Sequence, residues 1–271
     1  MTTANPRRVD PLTVGAIAIG AYILHDILHE GVGHGGACLA VGGRIIVIST
    51  VHMECSLDHR LVTAGGTLVN VVAGALFFLL GRLTSRSHPH LKYFCWLSMT
   101  INLFSAAGYF GFSGIAGIGD WAHFIEGFGP ELPWRIGLTL LGIVTYTLAV
   151  YASLFELRPI IGSDPAERIR RAPPLLRIPY FTGGTLSCIA GAFNPAGAIL
   201  ILISAAASTF GGTSGLLWMD QLLKGPGIPP GPPAEPVSID RKWSWIAAAV
   251  FLAPVYISWI GPGLRFSSAG N

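Results

Sequence analysis

Long uncharged, mostly apolar stretches dominate the chain, separated by short segments rich in charged or turn-forming residues. Residues 61–81, 93–119, 136–155 and 243–264 contain no Asp, Glu, Lys or Arg, and 178–219 is a single uncharged run of 42 residues. A helix that crosses the hydrocarbon core of a bilayer needs about 20 such residues. Gly211-Gly212 is the natural break in the longest run. A further stretch begins near Pro11, is apolar to Leu24 and remains largely apolar to Val41. The pattern predicts an all-α fold, a polytopic transmembrane helix bundle of about six spans. These lie at about 12–40, 61–82, 93–118, 135–156, 180–209 and 243–263, in a single integral membrane domain covering 1–271.

Composition agrees with the pattern. Hydrophobic residues make up 51% of the chain and charged residues 11%, against about 25% charged in soluble domains. A net charge of +3 without a basic stripe excludes a nucleic-acid footprint. Arg7 and Arg8 precede the first span as in a signal peptide, but no small-residue cleavage site follows promptly, so the segment is expected to be retained. With a cytoplasmic N-terminus the inner segments carry 11 Lys/Arg and the outer segments 6. Both termini are therefore predicted to be cytoplasmic, with the Pro-rich loop 225–236 outside. The four cysteines have no paired spacing, so no disulfide framework is expected and the redox compartment stays open.

One segment breaks the apolar pattern. His25, Asp26, His29, Glu30 and His34 all fall within HDILHEGVGH, 25–34, inside the first span. Ionisable groups at membrane depth are costly and mark functional sites unless the helix ends before them. Imidazoles are the usual zinc ligands, and a neighbouring carboxylate can act as base toward a polarised water. His29 and His34 are five apart rather than four, so a regular α-helix would separate them by about 140°. A π-turn, made cheap by the nearby glycines, would bring both onto one face. His25 and His29, four apart, are a second pairing. His25 and Asp26 are thus either alternative ligands or groups orienting His29.

HEGVGHGGACLA resembles the metal-binding helix of the site-2 protease family of intramembrane zinc metalloproteases, whose pattern is HExxH followed by small residues. AGGTLVNVVAGAL, 64–76, is similar to the small-residue and asparagine segment that follows in that family, and GIGDW, 117–121, to the segment bearing its aspartate. The chain departs from the family in its histidine spacing, in Thr67 where the family has proline, and in the setting of Asp120. The likeness covers roughly residues 24–121. It implies Zn²⁺ held by His29, His34 and Asp120, Glu30 as catalytic base, and Asn70 as a catalytic group that hydrogen-bonds the substrate backbone. His123 is an alternative ligand. The implied activity is hydrolysis of a peptide bond in a membrane or membrane-proximal substrate. The expected partners are the lipid bilayer and a membrane-protein or peptide substrate, in the plasma membrane of a prokaryote.

Three other readings use the same residues. A non-proteolytic metal or proton transporter would use the cluster for permeation, an inactive protease relative would bind without turnover, and a di-iron oxygenase would need later histidine boxes that the chain lacks. His52, His59, His88 and His90 are expected in solvated loops. Asn194-Pro195 is expected to kink the fifth span or help form a cleft, and ERIRR, 167–171, to anchor against anionic lipid.

Overall fold

The computed structural model describes residues 9–195, 197, 201–225 and 235–266. Helix α1, Pro11–Asp26, starts where Asp10 caps it by accepting the Thr13 amide at 3.0 Å, with Pro11 in the first turn. It continues without interruption through a π-helical segment, Ile27–Gly35, into α2, Gly36–Ala40. A hairpin of β1, Ile45–Ile48, and β2, Met53–Cys55, follows. Next come α3, Arg60–Leu83; α4, Pro89–Ala116; α5, Asp120–Ile125; α6, Glu131–Ile161; and α7, Pro165–Ala192. A second π-helical segment, Ile201–Gly211, leads to α8, Gly215–Leu222. The last long rod is α9, Trp243–Val255, extended by a π-turn, Tyr256–Ile260, and β3, Leu264–Arg265.

The chain is mostly helical, and among the described residues four helices are long and apolar enough to cross a membrane: Pro11–Ala40, Arg60–Leu83, Glu131–Ile161 and Trp243–Ile260. Their outward faces stay apolar; Leu148 is 63% exposed and Phe251 70%. Such surfaces need a nonpolar solvent. Helix α4 is as long but sits in the middle of the bundle, where Ser98, Thr100 and Asn102 are fully buried. Shielding by its neighbours lets it carry these polar groups. Against α6 it packs at backbone distance: a Cβ on Gly142 would lie 2.4 Å from the Gly111 nitrogen.

Several expectations change. The fold is not purely helical, since a small sheet of order β2-β1-β3 covers one end of the bundle. The predicted span 180–209 is divided. Helix α7 ends at Ala192, Asn194 donates its side-chain amide to the Gly261 carbonyl at 3.1 Å, and Gly197 has φ +102°. Asn194-Pro195 therefore terminates a helix instead of kinking one. Cys38 and Cys55 form a disulfide, Cα–Cα 5.9 Å, contrary to the reading from spacing. The hairpin reverses the chain and brings the two together over Gly43, where a Cβ would lie 2.7 Å from the Cys55 sulfur.

The two ends of the described chain lie at opposite ends of the bundle. Asp10 pairs with Arg241 at 2.8 Å, Val9 bridges Ile239, and His90 donates to the Asp240 carbonyl. Leu264 and Arg265 instead pair with β1 at the far end. The expectation of two termini on one face gains no support from this arrangement of the described residues. The arrangement also moves Lys224, Arg241 and Lys242 to the N-terminal end of the bundle. The Pro-rich loop lies largely outside the described residues, and its flanks, Lys224 (paired with Asp220) and Glu235 (bonded to Arg86), are both at that end. ERIRR turns partly inward: Arg168 and Arg171 are buried, donating to the Gly162 and Val237 carbonyls.

Candidate metal centre

The π-helical segment decides the geometry. Within Ile27–Gly35 each backbone bond spans five residues, so His29 and His34 project to one side and their Nε2 atoms come within 3.2 Å. The segment lies directly on α3, where a Cβ at Gly33 would lie 2.6 Å from the Gly66 Cα. Glycine is required at that crossing.

Asp120 arrives from the far side. Gly117 (φ +69°) closes α4 and Gly119 (φ +90°) turns the chain, so that Asp120 opens α5 facing the histidines. The Trp121 indole N–H donates to Thr67 Oγ1 at 3.0 Å, tying this turn to α3. Thr67 thus has a structural use at the position where the resembled family has proline. Asp120 Oδ2 lies 3.6 Å from His29 Nε2 and 3.4 Å from His34 Nε2.

The outer ring nitrogens fix the tautomers. His34 Nδ1–H donates to the Val62 carbonyl at 2.7 Å, leaving the Nε2 lone pair free. His29 Nδ1 meets the Asn70 carboxamide at 3.0 Å. The carboxamide nitrogen is the atom placed there and Oδ1 is buried without a partner; with the amide turned over, Nδ1–H donates to the oxygen and the Nε2 lone pair is free to bind a metal. In these tautomers two Nε2 lone pairs and a carboxylate oxygen converge within 4.8 Å of one another, a set that a shared proton or a metal cation would hold together. A Cβ on Gly66 would fall 2.6 Å from both Nε2 atoms, so that glycine keeps the space clear. Two nitrogens and one carboxylate fit a divalent metal of the zinc type, with a position left for water.

The cluster opens on a cavity of about 650 Å³. Glu30, buried and with Oε2 unpartnered, lines it together with His34 and Asp120. The hairpin contributes Val51 and Met53, α4 contributes Tyr109, and the second π-helical segment contributes Ser204 and Ser208. Half of the wall therefore comes from parts of the chain that carry no sequence signal.

The remaining expected residues take other places. His25 makes contacts with Asn102 and Ser105 of α4 through its two ring nitrogens, and its centroid is 6.1 Å from that of His29. Asp26 interacts with Tyr256. Orientation of His29 falls to Asn70, not to this pair. Asn70 is fully buried behind the ring and does not border the cavity, so its contact is with His29. His123 pairs with Glu126 at 2.9 Å and is exposed at the cavity mouth. His52, expected in solvent, borders the cavity and meets Ser49 at 3.1 Å. Val62, Gly66 and Tyr109 were not singled out by sequence reasoning, and Thr67 only as a departure from the resembled family; among them the Gly65-Gly66 pair carried a signal, as a site of close backbone approach. No family model, curated protein or solved structure matches the chain.

Proposed function

We propose that the protein is a membrane-embedded, zinc-dependent hydrolase that cleaves a peptide bond of a membrane or membrane-proximal substrate. The observation that carries this reading is the convergence of His29, His34 and Asp120 beside the unpartnered carboxylate of Glu30, at the wall of a cavity large enough for a peptide segment. A bound zinc supplies Lewis-acid polarisation of water and of the scissile carbonyl. Glu30 takes a proton from the attacking water and returns it to the leaving amine. Asn70 and the Val62 carbonyl hold the two imidazoles in the ligating tautomer.

The orientation follows from charge and redox chemistry. Among the described residues, 11 Lys/Arg lie toward the N-terminal end of the bundle, while Arg44, Arg60, Arg135 and Arg265 lie toward the site end. The positive-inside rule puts the N-terminal end in the cytoplasm. The Cys38–Cys55 disulfide at the site end fits an oxidising exterior. The site then opens outward, and the chain makes seven crossings, with the second π-helical segment and α8 together forming one of them.

Metal content per chain, measured by plasma mass spectrometry, tests the function. About one zinc in the wild type, lost in His29→Ala, His34→Ala and Asp120→Ala and kept in Glu30→Gln, is the expected result. A folded wild type without metal sinks the reading. An impermeant maleimide that labels Lys242→Cys but not Arg60→Cys in intact cells would overturn the orientation.

A further inference from the structure

We propose that Tyr109 is the hydrogen-bond donor to the oxyanion formed when a peptide carbonyl is attacked at this centre. The inference rests on the hydrolase reading and supplies what that reading lacks once Asn70 is spent on His29. The Tyr109 ring stacks on the His29 imidazole, with centroids 4.8 Å apart and an 18° interplanar angle, so it lies alongside the metal ligands. It borders the same cavity as Glu30 and Asp120. Across the cavity the Ser208 side chain interacts with it. The Ser208 hydroxyl donates to the Ser204 carbonyl, which leaves the Ser208 oxygen as an acceptor toward the Tyr109 hydroxyl.

Several other donors around the cavity are committed. The Thr63 hydroxyl donates to the Arg60 carbonyl at 2.8 Å, Ser105 is bonded to His25, and His52 to Ser49. His123 stands at the mouth, 65% exposed. Among the described residues lining the cavity, Tyr109 combines stacking on His29, cavity exposure and a hydroxyl facing a neutral serine oxygen. An oxyanion is the stronger acceptor and would draw the hydroxyl proton away from Ser208.

In the step itself, a water oxygen bonds to the carbonyl carbon and the C=O π pair moves onto oxygen. Glu30 takes one water proton. Collapse breaks the C–N bond, and the proton on Glu30 passes to the amine. Tyr109 donates a hydrogen bond throughout and transfers no proton.

The test compares zinc-loaded, full-length wild type with Tyr109→Phe, which keeps the stacked ring. The readouts are cleavage of β-casein, binding of a peptide phosphinate whose tetrahedral anion mimics the oxyanion, zinc content and thermal stability. The expected result is a fall in kcat of about 10²-fold with KM changed only a few-fold, the size seen when one such donor is removed. Phosphinate binding weakens by at least about tenfold, the low end for a hydrogen bond to a charged group, while zinc content and stability match the wild type. Equal phosphinate binding by the two proteins overturns the proposal, whether or not casein is cleaved. A rate loss that merely tracks lost zinc also overturns it, since that would mark a structural role. A wild type that holds no zinc overturns the hydrolase reading and this proposal with it.

Discussion

His29 and His34 present their Nε2 atoms to each other across 3.2 Å although four residues lie between them in sequence. The π-helical segment Ile27–Gly35 makes this possible, and its cost is met by contact with α3 at Gly33 and Gly65-Gly66. An extra residue between the histidines is thus absorbed by the backbone and not by the side chains. Deleting exposed Val32 should let the segment relax to an α-helix with the histidines at i and i+4, again on one face. Zinc content should stay near one per chain. A folded deletion variant that binds no metal would show that the π-helix is needed for more than its spacing.

Asn70 acts on the centre only through His29. Asn70→Leu should weaken zinc affinity by about 10- to 100-fold, as is usual when the partner of a ligating histidine is lost. Asn70→Asp, which still offers an oxygen to Nδ1–H, should retain most of it. Competition with a chelator of known affinity measures both. If Asn70→Leu leaves affinity unchanged, the tautomer assignment is wrong.

The Cys38–Cys55 disulfide joins the helix that bears the site to the hairpin over the cavity, across 17 positions. Cys38→Ser or reduction should lower stability by about 2–4 kcal/mol, in line with a loop of this length. Thermal unfolding in detergent with and without reductant reads this out. Alkylation before reduction should modify neither Cys38 nor Cys55; their ready labelling in unreduced protein would refute the bond.

Asp10 is the cap of α1 and the partner of Arg241. Burial pushes its carboxyl up. The Arg241 guanidinium, with the Thr13 amide and hydroxyl, outweighs this, and the pKa lies below its ordinary 3.8. A depressed carboxylate contributes stability in full above the unfolded value, and that contribution is lost as pH falls through the folded one. Arg241→Gln should therefore destabilise the protein at pH 5–7 by about 0.5–1 kcal/mol, a modest figure because the guanidinium is about half exposed. The gap to wild type should close well below pH 3.8. A difference that persists unchanged at low pH would mean that Arg241 acts through packing.

The sequence by itself determined the broad physical class and the residue types gathered at the centre. Uncharged runs of spanning length have one favourable solvent, and His29, Glu30, His34 and Asp120 are the residue types that bind and use a divalent metal. Periodicity also carried the helical character, and the five-residue spacing already required a local distortion of the first helix. Contacts between distant segments left no such trace. Asn70 behind His29, the Val62 carbonyl on His34 and Tyr109 stacked on the ligand ring are set by how α3 and α4 dock against the first helix. Pairing of Cys38 with Cys55 depends on a hairpin too short to read from its pattern. The placement of the C-terminal segments was not legible for the same reason: loop charges were counted on an assumed alternation of spans. The break at 193–197 and the link from Asp10 to Arg241 change that alternation, and only the folded chain brings those residues together.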